Sequence, residues 1–250
     1  MTRLAMPDLR ARLVPRGRAL ARRLADSTLA PVLGSIRAGK APGRVALTFD
    51  DGPDPTTTLP ILQALRAGGA VASYFLLVNQ AERHPELVRE IRDAGHEIAL
   101  HGFDHAPLTS LSYSAAVRTL RNARQRLEDI ARLPVTYYRP PYGKQTPVSW
   151  LAARRAGLRV VVWSADAADW EDRKLGEHVD HAFRRLREGG ILLLHERVEP
   201  GPDGSPVNPS VDRSALTRAL LDELIARGLS AVTVSELTES GAVRTAWFRR

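Results

Sequence analysis

Residues 45–53 read Val-Ala-Leu-Thr-Phe-Asp-Asp-Gly-Pro. The first five are apolar enough for a buried β-strand, and the two aspartates that follow stand in a sequence typical of turns. Two adjacent carboxylates after a buried strand repel each other unless a cation compensates their charge. A turn alone also accounts for this stretch, so the rest of the chain must decide whether Asp50 and Asp51 have a chemical role.

Strand-like and helix-like segments alternate from residue 44 to residue 235. We predict strands at 45–49, 71–78, 97–100, 136–139, 159–164, 191–194 and 230–234. Helices are predicted at 57–67, 85–94, 112–132, 147–156, 175–187 and 214–227. Such alternation is typical of a parallel sheet with helical crossovers. The pattern therefore indicates a single α/β domain, built as a closed or partly closed barrel or as a doubly wound sheet.

Titratable side chains follow five of these predicted strands. They are Asp50 and Asp51, His101 and His105, Arg139, Asp166 and Asp169, and His195 with Glu196. In α/β barrels the catalytic groups collect at the C-terminal ends of the strands. The sequence therefore predicts that these side chains share one rim of the fold.

The histidine spacing at this rim suggests a metal site. His101 and His105 are four residues apart, and the chain contains no cysteine, so a metal would have only His, Asp or Glu ligands. Two histidines with one carboxylate form a known catalytic zinc set, which also suits other divalent ions. The remaining histidines fit other roles: His195 suits a general acid or base, His96 a structural hydrogen bond, and His84, His178 and His181 a solvated surface.

Five of these segments, in this order, resemble the polysaccharide deacetylase family, also known as the NodB-homology domain or carbohydrate esterase family 4. The matching segments are TFDDGP at 48–53, HxxxH at 101–105, RPPYG at 139–143, DxxDW at 166–170 and LLLH at 192–195. The resemblance covers residues 44–235 and implies a distorted (β/α)7 barrel. It also implies metal-dependent removal of an acetyl group from an N-acetylated carbohydrate.

The resemblance further implies a role for individual residues. The metal, most commonly Zn²⁺, would be held by Asp51, His101 and His105. Asp50 would be the general base, oriented by Arg139. His195 would be the general acid, supported by an aspartate of the fourth motif, for which we favour Asp169 over Asp166.

Three more residues would shape the substrate pocket. The backbone N–H of Tyr142 would help to form the oxyanion hole, and Trp170 with Leu193 would enclose the acyl methyl group. Such a pocket also fits another small amide or an O-acetyl ester, so hydrolysis of either remains an alternative. A non-catalytic docking protein predicts broken motifs, whereas only Glu196 departs from the family here, at a position where many relatives have Asp.

Most of the positive charge lies near the N-terminus. The net charge is +8, and residues 1–40 contribute +7 of it through nine basic and two acidic side chains. The nearly neutral remainder, with 6% aromatic residues, argues against nucleic acid as a partner. We predict a basic arm at 1–43, helical or partly disordered, a catalytic domain at 44–238 and a tail at 239–250. Residues 1–40 would suit peripheral contact with an anionic membrane, and without a normal secretion signal we expect a cytoplasmic location.

Overall fold

A computed structural model describes residue 30, residues 34–201 and residues 209–246 of the chain. Its strands are β1 (Ser35–Gly39), β2 (Arg44–Asp50), β3 (Ser73–Leu77), β4 (Glu97–Gly102), β5 (Tyr137–Tyr138), β6 (Arg159–Val160), β7 (Ala165–Asp166), β8 (Ile191–His195), β9 (Ser230–Val232) and β10 (Ala242–Thr245). Its helices are α1 (Thr58–Ala67), α2 (Val78–Arg83), α3 (Pro85–Asp93), α4 (Tyr113–Ala131), α5 (Pro147–Arg155), α6 (Leu175–Arg185), α7 (Arg213–Ala226) and α8 (Val234–Thr238).

The main sheet is parallel and curls into an incomplete barrel. Its strands follow the order β6-β5-β4-β3-β2-β8-β7, and β9 pairs with the first residues of β2. Helices connect the successive strands of this sheet, as expected for parallel pairing, except that residues 161–164 join β6 to β7 without a helix. The predicted α/β fold with a distorted barrel is therefore confirmed.

Alternation along β2 separates the two sides of the barrel. Val45, Leu47 and Phe49 are buried in the larger apolar cluster, which includes residues of α1, α4 and α7. Ala46 belongs to a second, smaller cluster with residues of β3, β4 and β8. Because side chains in a strand point alternately to opposite faces, Asp50 shares the face of Ala46 and stands at the C-terminal end of the barrel interior. The strand pattern therefore places the first carboxylate in the mouth of the barrel.

Two strands lie outside the predicted domain limits of 44 and 238. β1 pairs antiparallel with β10, in a register that sets Ser35 opposite Thr245. β1 also bridges from Ile36 to Val161, just beyond β6, and from Ala38 to Gly190, just before β8. The folded unit thus includes residues assigned to the arm and to the tail, and β1 spans the seam that the main sheet leaves open.

Short elements account for the remaining differences from the predicted pattern. The strand predicted at 159–164 ends at Val160. The Val161 N–H still donates to the carbonyl oxygen of Tyr138 in β5, whereas the Val162 N–H donates to Ile36 in β1, so the chain leaves the main sheet here. Helix α8 was not predicted, although Thr233 and Glu236 form a reciprocal capping box at its start. Helix α2 follows β3 with no intervening loop, so the sequence offers no turn to separate them.

The predicted membrane contact and cytoplasmic location stay predictions. Residues 1–29 and 31–33 lie outside the described part of the chain. Among the helices that the structure describes, none combines the length and the apolar character needed to cross a bilayer.

We expect Ile36→Ala to lower the free energy of unfolding by about 2–4 kcal/mol, because it opens a cavity under β1. Ile36 has no exposed surface, whereas Val243 on the paired strand β10 is 41% exposed. The control Val243→Ala should cost less than about 1 kcal/mol. Denaturant unfolding measures both values, and equal stabilities for the two variants would show that β1 is not part of the cooperative unit.

Candidate active site

The predicted site residues meet at the C-terminal mouth of the barrel. A cavity of about 320 Å³ opens there. Eight of the ten predicted residues line it: Asp50, Asp51, His101, His105, Tyr142, Trp170, Leu193 and His195. The other two, Arg139 and Asp169, are buried beside it at 0% and 1% exposure. The parallel register explains this convergence, because Asp50 on β2 pairs directly with His195 on β8.

Asp51, His101 and His105 form a compact three-residue cluster. Asp51 Oδ1 lies 3.3 Å from His101 Nε2 and 3.4 Å from His105 Nε2. One ligand atom from each residue lies within 4.8 Å of the others. Asp51 and His105 have φ angles of 70° and 62°, so both side chains leave the backbone from the left-handed region at strand ends.

The protonation of the cluster suits a divalent cation. His101 Nδ1 lies 2.9 Å from the carbonyl oxygen of Arg139, which can only accept, so Nδ1 is the donor there and Nε2 is the nitrogen that faces Asp51. Burial, together with His101, lowers the pKa of His105 to about 3, which leaves its imidazole neutral. Burial alone would raise the pKa of Asp51. The neighbouring His101 and His105 have the larger, opposite effect, and the pKa lies well below its ordinary range.

The two carboxylate oxygens of Asp51 have different surroundings. Its Oδ2 accepts a hydrogen bond from the backbone N–H of Glu199 at 3.2 Å. Its Oδ1 is buried and accepts no hydrogen bond from the described residues. A buried carboxylate oxygen that faces the Nε2 atoms of two imidazoles and accepts no hydrogen bond is a favourable place for a cation. The three residues therefore fit a divalent metal such as Zn²⁺.

Asp50 is held by a buried arginine. Arg139 Nη1 donates to Asp50 Oδ1 at 2.6 Å and to Thr48 Oγ1 at 2.9 Å. The guanidinium carbon lies 4.0 Å from the centre of the Phe75 ring, which supports the charge from one side. Arg139 thus compensates the charge of Asp50 and fixes its orientation, while Asp50 Oδ2 remains 3.7 Å from His101 Nε2.

Asp169 holds both the side chain and the backbone of His195. The imidazole Nδ1–H donates to Asp169 Oδ1 at 2.8 Å, and the backbone N–H of His195 donates to Oδ2 at 2.8 Å. Burial lowers the pKa of His195, but Asp169 outweighs it and raises that pKa to about 9. Burial raises the pKa of Asp169, yet His195 and Arg213 bring it below its ordinary value.

The structure distinguishes the two aspartates of the fourth motif. Asp166 Oδ1 lies 3.1 Å from His181 Nε2, away from His195. Ala168 has a φ of 49°, and this left-handed turn directs Asp169 beneath the cavity. The preference for Asp169 as the partner of His195 therefore agrees with the geometry.

The pocket residues surround the space between Asp50 and His195. Tyr142 has a φ of 54° in the short turn after Pro140, and its hydroxyl donates to the carbonyl oxygen of Pro200 at 2.6 Å. The Trp170 ring stands edge-on to the His195 ring, with centroids 5.7 Å apart. Leu193 lines the same cavity from β8.

Sequence reasoning missed two residues around the site, Arg213 and Glu199, and it assigned no role to Glu196. Arg213 contacts Asp169, and the Glu199 backbone contacts Asp51. Glu196 is fully buried, accepts a hydrogen bond from the Thr58 hydroxyl, and burial raises its pKa to about 8. None of the three belongs to a pattern with a fixed spacing, although Glu196 stands next to a predicted residue.

Two histidine predictions had different outcomes. His178 was predicted to be solvated, but it is fully buried and its Nδ1 lies 2.9 Å from the carbonyl oxygen of Ala167. That prediction was wrong, because the helix turns this position inward despite its charged sequence neighbours. His96 accepts a hydrogen bond from the Ala72 N–H at 3.2 Å, which confirms a structural role.

Comparison with protein families and curated proteins gives consistent results. The family model described as polysaccharide deacetylase matches residues 37–161. A peptidoglycan-N-acetylglucosamine deacetylase of Bacillus cereus is 34% identical over 198 residues, covering 77% of this chain and 87% of the relative. A chitooligosaccharide deacetylase of Azorhizobium caulinodans is 32% identical over 157 residues, covering 62% of this chain and 75% of the relative.

Solved structures show the same architecture. A family 4 carbohydrate esterase from Streptomyces lividans, in complex with acetate, superposes with a TM-score of 0.68 at 27% identity, covering 84% of this chain and 100% of the other. BA3943 from Bacillus anthracis, a CE4 family pseudoenzyme, superposes with a TM-score of 0.72 at 20% identity, covering 81% of this chain and 68% of the other. At that identity the second match shows the fold alone.

We expect His101→Ala to weaken Zn²⁺ binding by more than about 100-fold, beyond the usual cost of losing a hydrogen bond to a ligand. Titration of the metal-free protein against a chromogenic chelator measures the affinity. The control His84→Ala should bind like wild type, because His84 pairs with Glu86 on the surface. One tightly held equivalent of zinc in the His101 variant would contradict the assigned cluster.

Proposed function

This chain belongs to the polysaccharide deacetylase family, and we propose that it hydrolyses the N-acetyl group of an N-acetylated carbohydrate in a metal-dependent reaction. The observation that carries the proposal is the placement of two ion pairs beside one candidate metal cluster. The acidic member of one pair and the basic member of the other line the cavity. Asp50 is paired with Arg139, and His195 is paired with Asp169. Groups whose surroundings favour opposite protonation states are suited to act as base and acid.

Asp51, His101 and His105 would hold the metal, which we propose to be Zn²⁺. When bound, a divalent cation supplies Lewis-acid polarisation of the acyl carbonyl and lowers the pKa of a coordinated water. The contribution of the chain is to present one carboxylate oxygen and two imidazole nitrogens to a common point beside the cavity. Glu199 contributes by holding Asp51 Oδ2, so that Oδ1 faces the two imidazoles.

Asp50 would be the general base. Its Oδ1 is engaged by Arg139, so Oδ2 is the oxygen that can take the proton of an attacking water. The guanidinium fixes the orientation of the carboxylate, and the Phe75 ring covers one side of Arg139. A positioned base of this kind contributes about 10²–10⁴-fold to a rate.

His195 would be the general acid. Its Nδ1–H is occupied by Asp169, so Nε2 is the nitrogen that can donate to the leaving amine. An amine leaves poorly as an anion, and the raised pKa of about 9 keeps the imidazole protonated at neutral pH until that donation. The nitrogen of an N-acetyl sugar therefore matches the acid that the site provides.

The pocket would fit a small acyl group. We assign the backbone N–H of Tyr142 to the developing oxyanion, where one such donor is typically worth about 3–4 kcal/mol. Trp170 and Leu193 supply apolar walls in the part of the cavity beside His195. A methyl group suits these walls better than a charged or extended acyl chain does.

The curated relatives suggest polymers of N-acetylated sugars as substrates. Their names refer to peptidoglycan N-acetylglucosamine and to chitooligosaccharides. We propose an N-acetylglucosamine-containing oligosaccharide as the substrate class. Another small amide or an O-acetyl ester is the second candidate, since Trp170 and Leu193 would contact only the acyl part.

Acetate release from N- and O-acetylated glycans, with and without a chelator, tests this proposal. We expect chelator-sensitive release from N-acetylglucosamine oligosaccharides, and Asp50→Asn should lower kcat by about 10²-fold or more while zinc content is kept. The control Asp166→Asn should retain activity, because Asp166 pairs with His181. Near-wild-type turnover by the Asp50 variant would exclude Asp50 as the base.

We expect Asp169→Asn to move the alkaline limit of activity to lower pH by more than about one unit. His195 is active in its protonated form, and Asp169 raises its pKa to about 9, so activity is lost as the pH rises through that value. Removing the carboxylate charge lowers the pKa of the imidazole, and the loss then begins earlier. Profiles of kcat/KM against pH for wild type, Asp169→Asn and the control Asp166→Asn measure the shift. An unchanged alkaline limit in the Asp169 variant would show that Asp169 does not set the pKa of the catalytic acid.

A further inference from the structure

Arg213 contacts the predicted acid pair without belonging to any of the family motifs. It is the first residue of α7 and is only 8% exposed. Its Nη1 donates to Asp169 Oδ2 at 2.8 Å and to the backbone carbonyl oxygen of His195 at 2.9 Å. One guanidinium nitrogen therefore touches both members of the pair.

The start of α7 fixes the position of this arginine. Asp212 caps the helix by accepting hydrogen bonds from the backbone N–H groups of Ser214 and Ala215, each at 2.9 Å. The Thr217 hydroxyl donates to the carbonyl oxygen of Arg213 at 2.7 Å. The guanidinium thus reaches Asp169 from an anchored backbone.

The charge of Asp169 explains why a second cation is needed. While His195 is protonated, the buried carboxylate has a cation on each side, the imidazolium at Oδ1 and Arg213 at Oδ2. Once His195 has given its proton to a leaving group, Arg213 is the cation that still compensates the carboxylate. Leaving a buried charge unpaired is costly, so Arg213 favours the state that follows proton donation.

We propose that Arg213 is the positioning residue of the general acid. It holds the Asp169 carboxylate and the His195 backbone in one geometry, and it keeps Asp169 compensated after the imidazole has lost its proton. The inference rests on the proposed function, in which His195 protonates the departing amine. Arg213 touches neither substrate nor reacting atoms in this scheme, since it acts through Asp169 and His195.

Substrates with different leaving groups test this role. An amide needs proton donation to its nitrogen, whereas the nitrophenolate of 4-nitrophenyl acetate leaves without a proton. We expect Arg213→Met to lower kcat on an N-acetylglucosamine oligosaccharide by about 10–100-fold, part of what general acid catalysis contributes, with KM changed less than about 3-fold. Its 4-nitrophenyl acetate hydrolysis should stay within about 3-fold of wild type.

Two further variants complete the comparison. Arg213→Lys keeps a cation near Asp169 and should recover at least about one tenth of the wild-type kcat on the oligosaccharide. Arg218→Met is the matched control, because Arg218 is an exposed arginine of the same helix whose Nη1 contacts the Ser214 hydroxyl. It should behave like wild type on both substrates. Equal losses on both substrates in Arg213→Met, or no recovery in Arg213→Lys, would overturn the proposal in favour of a general structural role.

NMR of protein labelled with ¹⁵N-histidine provides a measurement that needs no activity. The His195 Nδ1–H signal should exchange slowly with water in wild type and in Arg218→Met, and rapidly in Arg213→Met. If wild type releases no acetate from any glycan but this contrast is found, the deacetylase function fails while the positioning by Arg213 stands. If the signal is the same in all three proteins, the positioning by Arg213 fails whatever the activity.

Discussion

Compensation of buried negative charge governs the mouth of this barrel. Asp50, Asp51 and Asp169 are 2%, 1% and 1% exposed, and they surround one small cavity. Three carboxylates cannot remain ionised there unless each meets a cation of its own. Arg139 pairs with Asp50, and Arg213 and His195 pair with Asp169. Asp51 faces two imidazoles, and this is the position that we propose for a metal. Separate partners for the three carboxylates allow one of them to accept a proton while the others stay charged.

The curled parallel sheet is what brings these charges together. β2 and β8 are neighbours in register, so Asp50 and His195 stand side by side although they are far apart in sequence. Hydrogen bonds then link the loops that follow the strands: His101 contacts the Arg139 carbonyl, and the Glu196 backbone N–H donates to the Asp50 carbonyl at 2.9 Å. Main-chain hydrogen bonds, as well as side chains, therefore hold these loops in position relative to one another.

The fold class and the rim position of the titratable residues could be predicted from short local patterns, whereas the pocket residues Tyr142, Trp170 and Leu193 were predicted only from the family resemblance. Asp50, His101 and His195 each directly follow an apolar run, and parallel pairing then forces them to one edge. Arg213 could not be found this way, since it begins a helix and reaches the site only through the length of its side chain. The seam strands β1 and β10 escaped prediction because each is short and gains its pairing from a segment at the far end of the chain. Pattern reasoning also misplaced His178, whose helix face is set by packing rather than by the charges beside it.

The pairing of β1 with β10 has a consequence for how the protein can be joined to other molecules. Ser35 and Thr245 are opposite each other, so the backbone enters and leaves the folded unit at one spot. A short peptide could therefore connect Ser35 and Thr245 directly. A circularly permuted version, opened instead in an exposed turn such as the one after Ala67, would keep every strand neighbour of the natural order.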